Sequence, residues 1–287
     1  MRLIRTALLA LLFCCGRASA AGSDAPAAAP APRPSTASPN VHILAPMTIP
    51  GLDRQRTIRL YLPPDYAHSN KRYPVLYMHD GQNLFDAATS FLGEWEVDET
   101  LDALATTRRL QIIVVGIDNG GVHRMQELNA WDNAEHGKAE GRAYMDFIVK
   151  VVKPYIDARY RTRPDRAHTA IMGSSLGGLI SHYAIYAYPK VFGRAGIFSP
   201  AYWYAPAVFD YTSAHALPPG TKLYFYAGGR EDENMVGNME RAVALIRGQG
   251  LPQGNIEVHV DPAAQHNEIA WRAEFPRAVQ WLFDDVQ

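Results

Sequence analysis

The chain of 287 residues holds only two cysteines, Cys14 and Cys15, side by side near the start. A disulfide framework and a cysteine-based metal site are therefore both excluded for the rest of the molecule. Lysine and arginine, 28 in all, are balanced by 29 acids and form no block. Such a chain offers no electrostatic footprint for nucleic acid. It also lacks an apolar run of about 20 residues, the length needed to span a bilayer. The longest run, 7–15, is preceded by Arg2 and Arg5 and followed by Ala18-Ser19-Ala20. Positive, apolar and small-residue regions in that order form the pattern of a secretory signal peptide over residues 1–20. Its removal takes both cysteines and three arginines, so the formal charge moves from −1 to −4. The expectation is an exported protein, periplasmic or secreted, with no integral span once the leader is cleaved.

Residues 21–40 are rich in Ala, Pro and Ser, with no hydrophobic period. A segment of that composition buries too little apolar surface to offset its ordering entropy, so a disordered spacer is expected there. The remainder, 41–287, is the size of one α/β domain and shows no internal repeat.

Apolar runs alternate with helical stripes along that domain. Residues 57–62 alternate with period two; 73–78, 111–117, 169–172, 193–198 and 222–226 are nearly continuous, with Arg194 interrupting one; 258–260 is a further strand candidate. Helical spacing links Tyr144, Phe147, Ile148, Val151 and Tyr155, then Leu176, Leu179, Ile180 and Tyr183, then Met235, Met239, Ala242 and Ile246. A last stripe runs from Phe275 to Phe283, with Pro276 read as part of a first turn. The fold class is α/β: a mainly parallel central sheet with helices on both faces, and sites at the carboxyl ends of its strands.

At one such end stands Gly173-Ser174-Ser175-Leu176-Gly177. A G-x-S-x-G pentapeptide alone turns up by chance. Between a strand and a helix it marks a serine on a sharp turn, with small neighbours making room for strained backbone. Ser175 is the candidate nucleophile, and Ser174 sits one place too early. The N–H of Leu176, at the helix start, is a candidate oxyanion donor. The base must come later in the chain. His182 lies in the following helix, His215 in an irregular stretch and His259 within a strand, whereas His266 sits in a loop before the last helix and is preferred. For the acid, Ala227-Gly228-Gly229-Arg230-Glu231-Asp232-Glu233 offers three adjacent carboxylates; Glu231 is the first choice and Asp232 the second. A second oxyanion donor is expected after 73–78, where Asp80-Gly81-Gln82 allows a tight turn and either Gly81 or Gln82 could present its N–H. No cluster of His and carboxylates shows metal-ligand spacing, so neither metal nor cofactor is expected.

These segments resemble the esterase family of α/β-hydrolases that includes enterochelin (siderophore) esterases, S-formylglutathione hydrolase (esterase D), feruloyl and acetyl-xylan esterases and mycolyltransferases. The resemblance rests on 73–85, Gly93-Glu94-Trp95-Glu96-Val97-Asp98, Val115-Gly116-Ile117-Asp118-Asn119, Gly173 to Gly178, Phe198-Ser199-Pro200-Ala201-Tyr202-Trp203, 226–231 and His266-Asn267-Glu268. It implies an α/β-hydrolase fold and a serine esterase acting on a small-molecule or polymer-linked ester through an acyl-enzyme on Ser175. It also implies His266 as base, Glu231 as acid and Gln82 as the second donor. Trp203 and Asp118, at strand ends, are candidate substrate-binding residues, with Trp203 alternatively packing beneath the site. Transfer to an acceptor other than water, and a binding protein without catalysis, are the alternatives.

Overall fold

In the computed structural model, which describes residues 33–285, the apolar runs become the interior of one eight-stranded sheet. The strands are β1 Val41–Ile49, β2 Arg54–Tyr61, β3 Val75–His79, β4 Ile113–Ile117, β5 Thr169–Ser174, β6 Arg194–Phe198, β7 Lys222–Gly228 and β8 Ile256–Asp261. Their spatial order is β1-β2-β4-β3-β5-β6-β7-β8. β1 and β2 run antiparallel at one edge, and every pairing from β4 to β8 is parallel. Every residue of β3, β4, β5 and β6 is buried, as continuous apolar runs covered on both faces require. Arg194 stays inside β6 because its guanidinium is fully used at the strand's amino end. It reaches the Ala167 and Leu282 carbonyls and pairs with Asp285 at 2.6 Å.

The helices are α1 Val97–Thr107, α2 Arg124–Glu127, α3 Gly141–Phe147, α4 Lys153–Arg159, α5 Leu176–Ala187, α6 Ala207–Ala214, α7 Met235–Gly248 and α8 Glu268–Phe283. A π-helical turn, Ile148–Val152, joins α3 to α4. One face of the sheet packs on α3 to α7, with Tyr77, Val115, Ile171 and Phe225 pointing into that layer. The other face packs on α1 and α8, receiving Leu76, Met78, Val114 and Met172. Alternate residues of one strand thus feed two separate cores. Among the described residues no helix is long and apolar enough to cross a membrane.

Three expectations need correction or limitation. The expected leader, 1–20, and most of the spacer lie outside the described residues. The end of the spacer does not: 33–40 is a strap held by polar contacts. Ser35 Oγ donates to Asp86 at 2.9 Å, Thr36 Oγ1 to Glu94 at 2.8 Å, and the Ser38 N–H to Asp98 at 2.7 Å. Hydrophobic periodicity is blind to a segment tied down by carboxylates. The last helix begins at Glu268, with Asn267 capping it by accepting the Ala270 N–H at 3.0 Å. Pro276 therefore lies inside the helix, not in its first turn.

Candidate active site

Four successive parallel strands, β5 to β8, and β3 beside them, release their chains at the same end of the sheet, and the residues singled out above emerge there. Ser175 follows β5 with φ 58° and ψ −122°, a positive φ that an L residue holds only under constraint. Its N–H donates to the Phe198 carbonyl at 2.9 Å, and its carbonyl accepts from Leu179 and Ala201, both at 3.0 Å. The turn is tight enough that a Cβ on Gly173 would lie 2.9 Å from the Gly177 carbonyl carbon and oxygen. That close approach is what the flanking glycines of the pentapeptide permit.

His266 leaves β8 and stands one residue ahead of the Asn267 cap. Its Nδ1 meets Glu231 Oε2 at 2.6 Å. Glu231 is the acid that faces the imidazole; its side chain is shut off from solvent. Its other oxygen accepts from the Gly228 N–H and from Ser199 Oγ, both at 2.6 Å. Asp232 and Glu233 are exposed, and Asp232 is spent on the Asn234 N–H at 2.9 Å. Sequence reasoning missed two residues in this chain of contacts. Ser199, fully buried after β6 with φ 42°, is itself held by the indole N–H of Trp271 at 2.9 Å. Trp271 also stands edge-on to the His266 ring, with centroids 4.9 Å apart. Ser199 carried a signal only as part of a quoted motif, without a role, and Trp271 lay outside every one of them.

Between β3 and the segment after it, Asp80 takes φ 57° and starts a single 3-10 turn, Gly81–Asn83. Among the described residues neither the Gln82 N–H nor the Leu176 N–H is spent on a protein acceptor. The Gln82 side chain accepts from the Asn119 N–H at 3.0 Å. Gly81 has no alternative residue: a Cβ there would sit 2.8 Å from the Gly116 carbonyl carbon and from Asp118 Oδ1. Asp118 is thus the wall behind this turn. It is fixed to Arg59 by contacts of 2.7 and 3.0 Å, and it does not line the cavity.

The cavity is about 490 Å³. Ser175, His266 and Gln82 open onto it, with Phe91, Leu92, Trp95, Trp271 and Met78 as its apolar wall and Asn119, Arg124 and Glu268 as polar groups. Phe91 and Leu92 are 80% and 75% exposed and form its rim. Trp203 is elsewhere: 58% exposed, edge-on to Tyr204, it borders a separate depression with Trp131. Asp80 does not await a metal, because Arg124 grips both its oxygens at 2.6 and 2.8 Å and Asn119 adds a bond of 2.6 Å. Burial alone would raise that carboxyl; Arg124 and Asn119 more than offset it and hold it below the usual range. Next to it His79, fully enclosed, is pushed down to about 4 by burial and stays neutral, bonded to Tyr144 at 2.8 Å.

Comparison with known proteins gives a consistent result. The family described as "Putative esterase" matches residues 49–282. Protein YbbA of Bacillus subtilis (strain 168) is 26% identical over 243 residues, covering 79% of this chain and 92% of that protein. An endo-1,4-beta-xylanase/feruloyl esterase of Xylanibacter ruminicola is 22% identical over 234 residues, 80% of this chain but 30% of that protein. The enterobactin esterase FES of Shigella flexneri, solved in the presence of enterobactin, superposes with a TM-score of 0.72 at 18% identity. That superposition covers 88% of this chain and 61% of the other and is a likeness of fold.

Proposed function

The chain belongs to the "Putative esterase" family, has the α/β-hydrolase fold and is a carboxylic ester hydrolase; from that premise we propose that it works through an acyl-enzyme on Ser175. The observation that carries the reading is the strained Ser175 turn facing the same cavity as an imidazole already fixed by a buried carboxylate. His266 takes the Ser175 proton as the serine oxygen attacks the ester carbonyl. The Leu176 and Gln82 N–H groups, unspent within the protein, receive the oxyanion. Glu231 holds Nδ1 protonated, which leaves Nε2 as the base, and stabilises the imidazolium. His266 then protonates the leaving alcohol, and water, activated the same way, releases the acid. Among the described residues Ser175 Oγ makes no hydrogen bond; in free enzymes that contact commonly tightens only when substrate arrives.

The apolar wall favours esters whose acyl part is apolar or aromatic over acetyl esters. The feruloyl esterase among the relatives is named for esters of an aromatic acid, which supports the same preference. Export is part of this reading, on the strength of Arg2, Arg5, the run 7–15 and Ala18-Ser19-Ala20. Protein purified from its own host should begin at Ala21.

Ser175→Ala is expected to lower kcat on a short aryl ester by at least about a thousandfold with the Tm unchanged. Retention of most of the rate would refute the assignment. On a panel of aromatic-acyl, longer aliphatic-acyl and acetyl esters of one alcohol, a better kcat/KM for acetyl would refute the specificity alone.

A further inference from the structure

Outside the ester site, three carboxylates converge where α1 begins. Glu96 takes a left-handed turn, φ 50°, directly before Val97, so the chain carrying Glu94 folds back on the first helical turn with Asp98 and Glu99. One carboxylate oxygen from each of the three lies within 4.8 Å of the other two. Glu94 is 7% exposed and Asp98 fully buried. One oxygen of each is accounted for by the strap, through Thr36 Oγ1 and the Ser38 N–H. The remaining oxygens, Glu94 Oε1 and Asp98 Oδ1, are buried with no hydrogen-bond partner among the described residues. None of the described residues' ion pairs reaches Glu94, Asp98 or Glu99.

Buried carboxylates without a counter-charge are expensive, far beyond what a helix amino end returns. We propose that Glu94, Asp98 and Glu99 bind a divalent cation of the hard, oxygen-preferring kind, calcium in particular. The donor set is all oxygen, which disfavours zinc and copper. Oxygens around calcium lie about 2.3–2.6 Å from the ion and so up to about 5 Å from each other, and the three carboxylate oxygens fall within that reach; magnesium, which gives up its waters reluctantly, suits an enclosed set of protein oxygens less. The ion would neutralise the orphaned oxygens. It would also tie the strap, through Thr36 and Ser38, to the segment that supplies Phe91, Leu92 and Trp95 to the cavity. The expectation of no metal-ligand cluster is revised accordingly, for a structural ion that takes no part in ester cleavage.

The test is calcium titration of the full chain after chelator treatment, read by calorimetry and by thermal unfolding. One equivalent should bind, and at a hundredfold excess over Kd the Tm should rise by roughly 5 °C or more. Glu99→Gln, at an exposed position, should weaken binding at least about tenfold while leaving the fold intact, and Glu94→Gln with Glu99→Gln should abolish the Tm response. No heat and no Tm change at about 10 mM calcium would overturn the proposal. So would a calcium response that the double variant retains. A metal-free Glu99→Gln protein that unfolds at higher temperature than a calcium-insensitive wild type would also overturn it, and would show that the acids share a proton instead.

Discussion

Ser175, Asp80 and Ser199 all hold positive φ, and all three stand at the carboxyl ends of adjacent strands, β5, β3 and β6. Backbone strain of this kind persists only where the surroundings impose it, and here it turns each chain toward one cavity. Glu231 is the residue whose role is most open to test. Glu231→Gln keeps the shape and loses the charge, so kcat should fall about a hundredfold to ten-thousandfold, with KM little changed. Ser199→Ala removes one of two donors to Glu231 Oε1 and the acceptor of the Trp271 indole. It should lower kcat by roughly tenfold, and a larger effect on KM than on kcat would contradict its role in positioning Glu231. Ser175 and its glycines were legible from the sequence because five consecutive residues carry the whole turn. Ser199 was not: its partners Glu231 and Trp271 are 32 and 72 positions away, and nothing local distinguishes it from any serine before a proline.

At the scale of elements, the parallel strands could be read from composition because burial on both faces demands continuous apolar runs. β1 could not, since its pattern is mostly exposed or half-buried and it sits at the sheet edge. α1 and α6 were missed as well. α1 opens on Val97-Asp98-Glu99, where acidic residues conceal the Val97, Leu101, Leu104 face. The start of α8 was misplaced because Pro276 suggested a first turn, while the true signal was the Asn267 cap. That cap adjoins His266, so its loss should act twice. Asn267→Ala should cost about 1 kcal/mol of stability, measured by denaturant unfolding, and should also lower kcat because the imidazole loses its fixed entry to the helix. Unchanged kcat with reduced stability would separate the helix start from the base's position. Gly81→Ala, forced against Gly116 and Asp118, should lower kcat through displacement of the Gln82 N–H.

Across the whole molecule, stability in acid depends on two imidazoles outside the proposed chemistry. Burial pushes His182 down to about 3, and His79 down to about 4. In the unfolded chain each would take a proton near pH 6.5. The unfolded state therefore binds more protons below that pH, and the stability these neutral rings contribute is lost as pH falls from about 6.5 toward 4 and 3. Tm should drop steadily over that window. His182→Gln, which keeps polar atoms for Tyr202 and Thr212, should flatten the dependence even if it lowers the Tm at neutral pH. An unaltered slope would show that His182 is not a source of the acid sensitivity. The two-core sheet, the strap and the acidic cluster at α1 were legible to different degrees. Cores follow from apolar pattern, whereas the strap and the cluster are built from polar contacts between segments that only the fold brings together.

The central claim is covalent chemistry at Ser175, and its most direct measurement is the mass of the labelled peptide after reaction with a fluorophosphonate. The account predicts one adduct per chain, on the Ser175 peptide, formed in step with loss of ester hydrolysis and absent from Ser175→Ala. An adduct on Ser174 or elsewhere, or full hydrolysis by enzyme labelled stoichiometrically at Ser175, would contradict it.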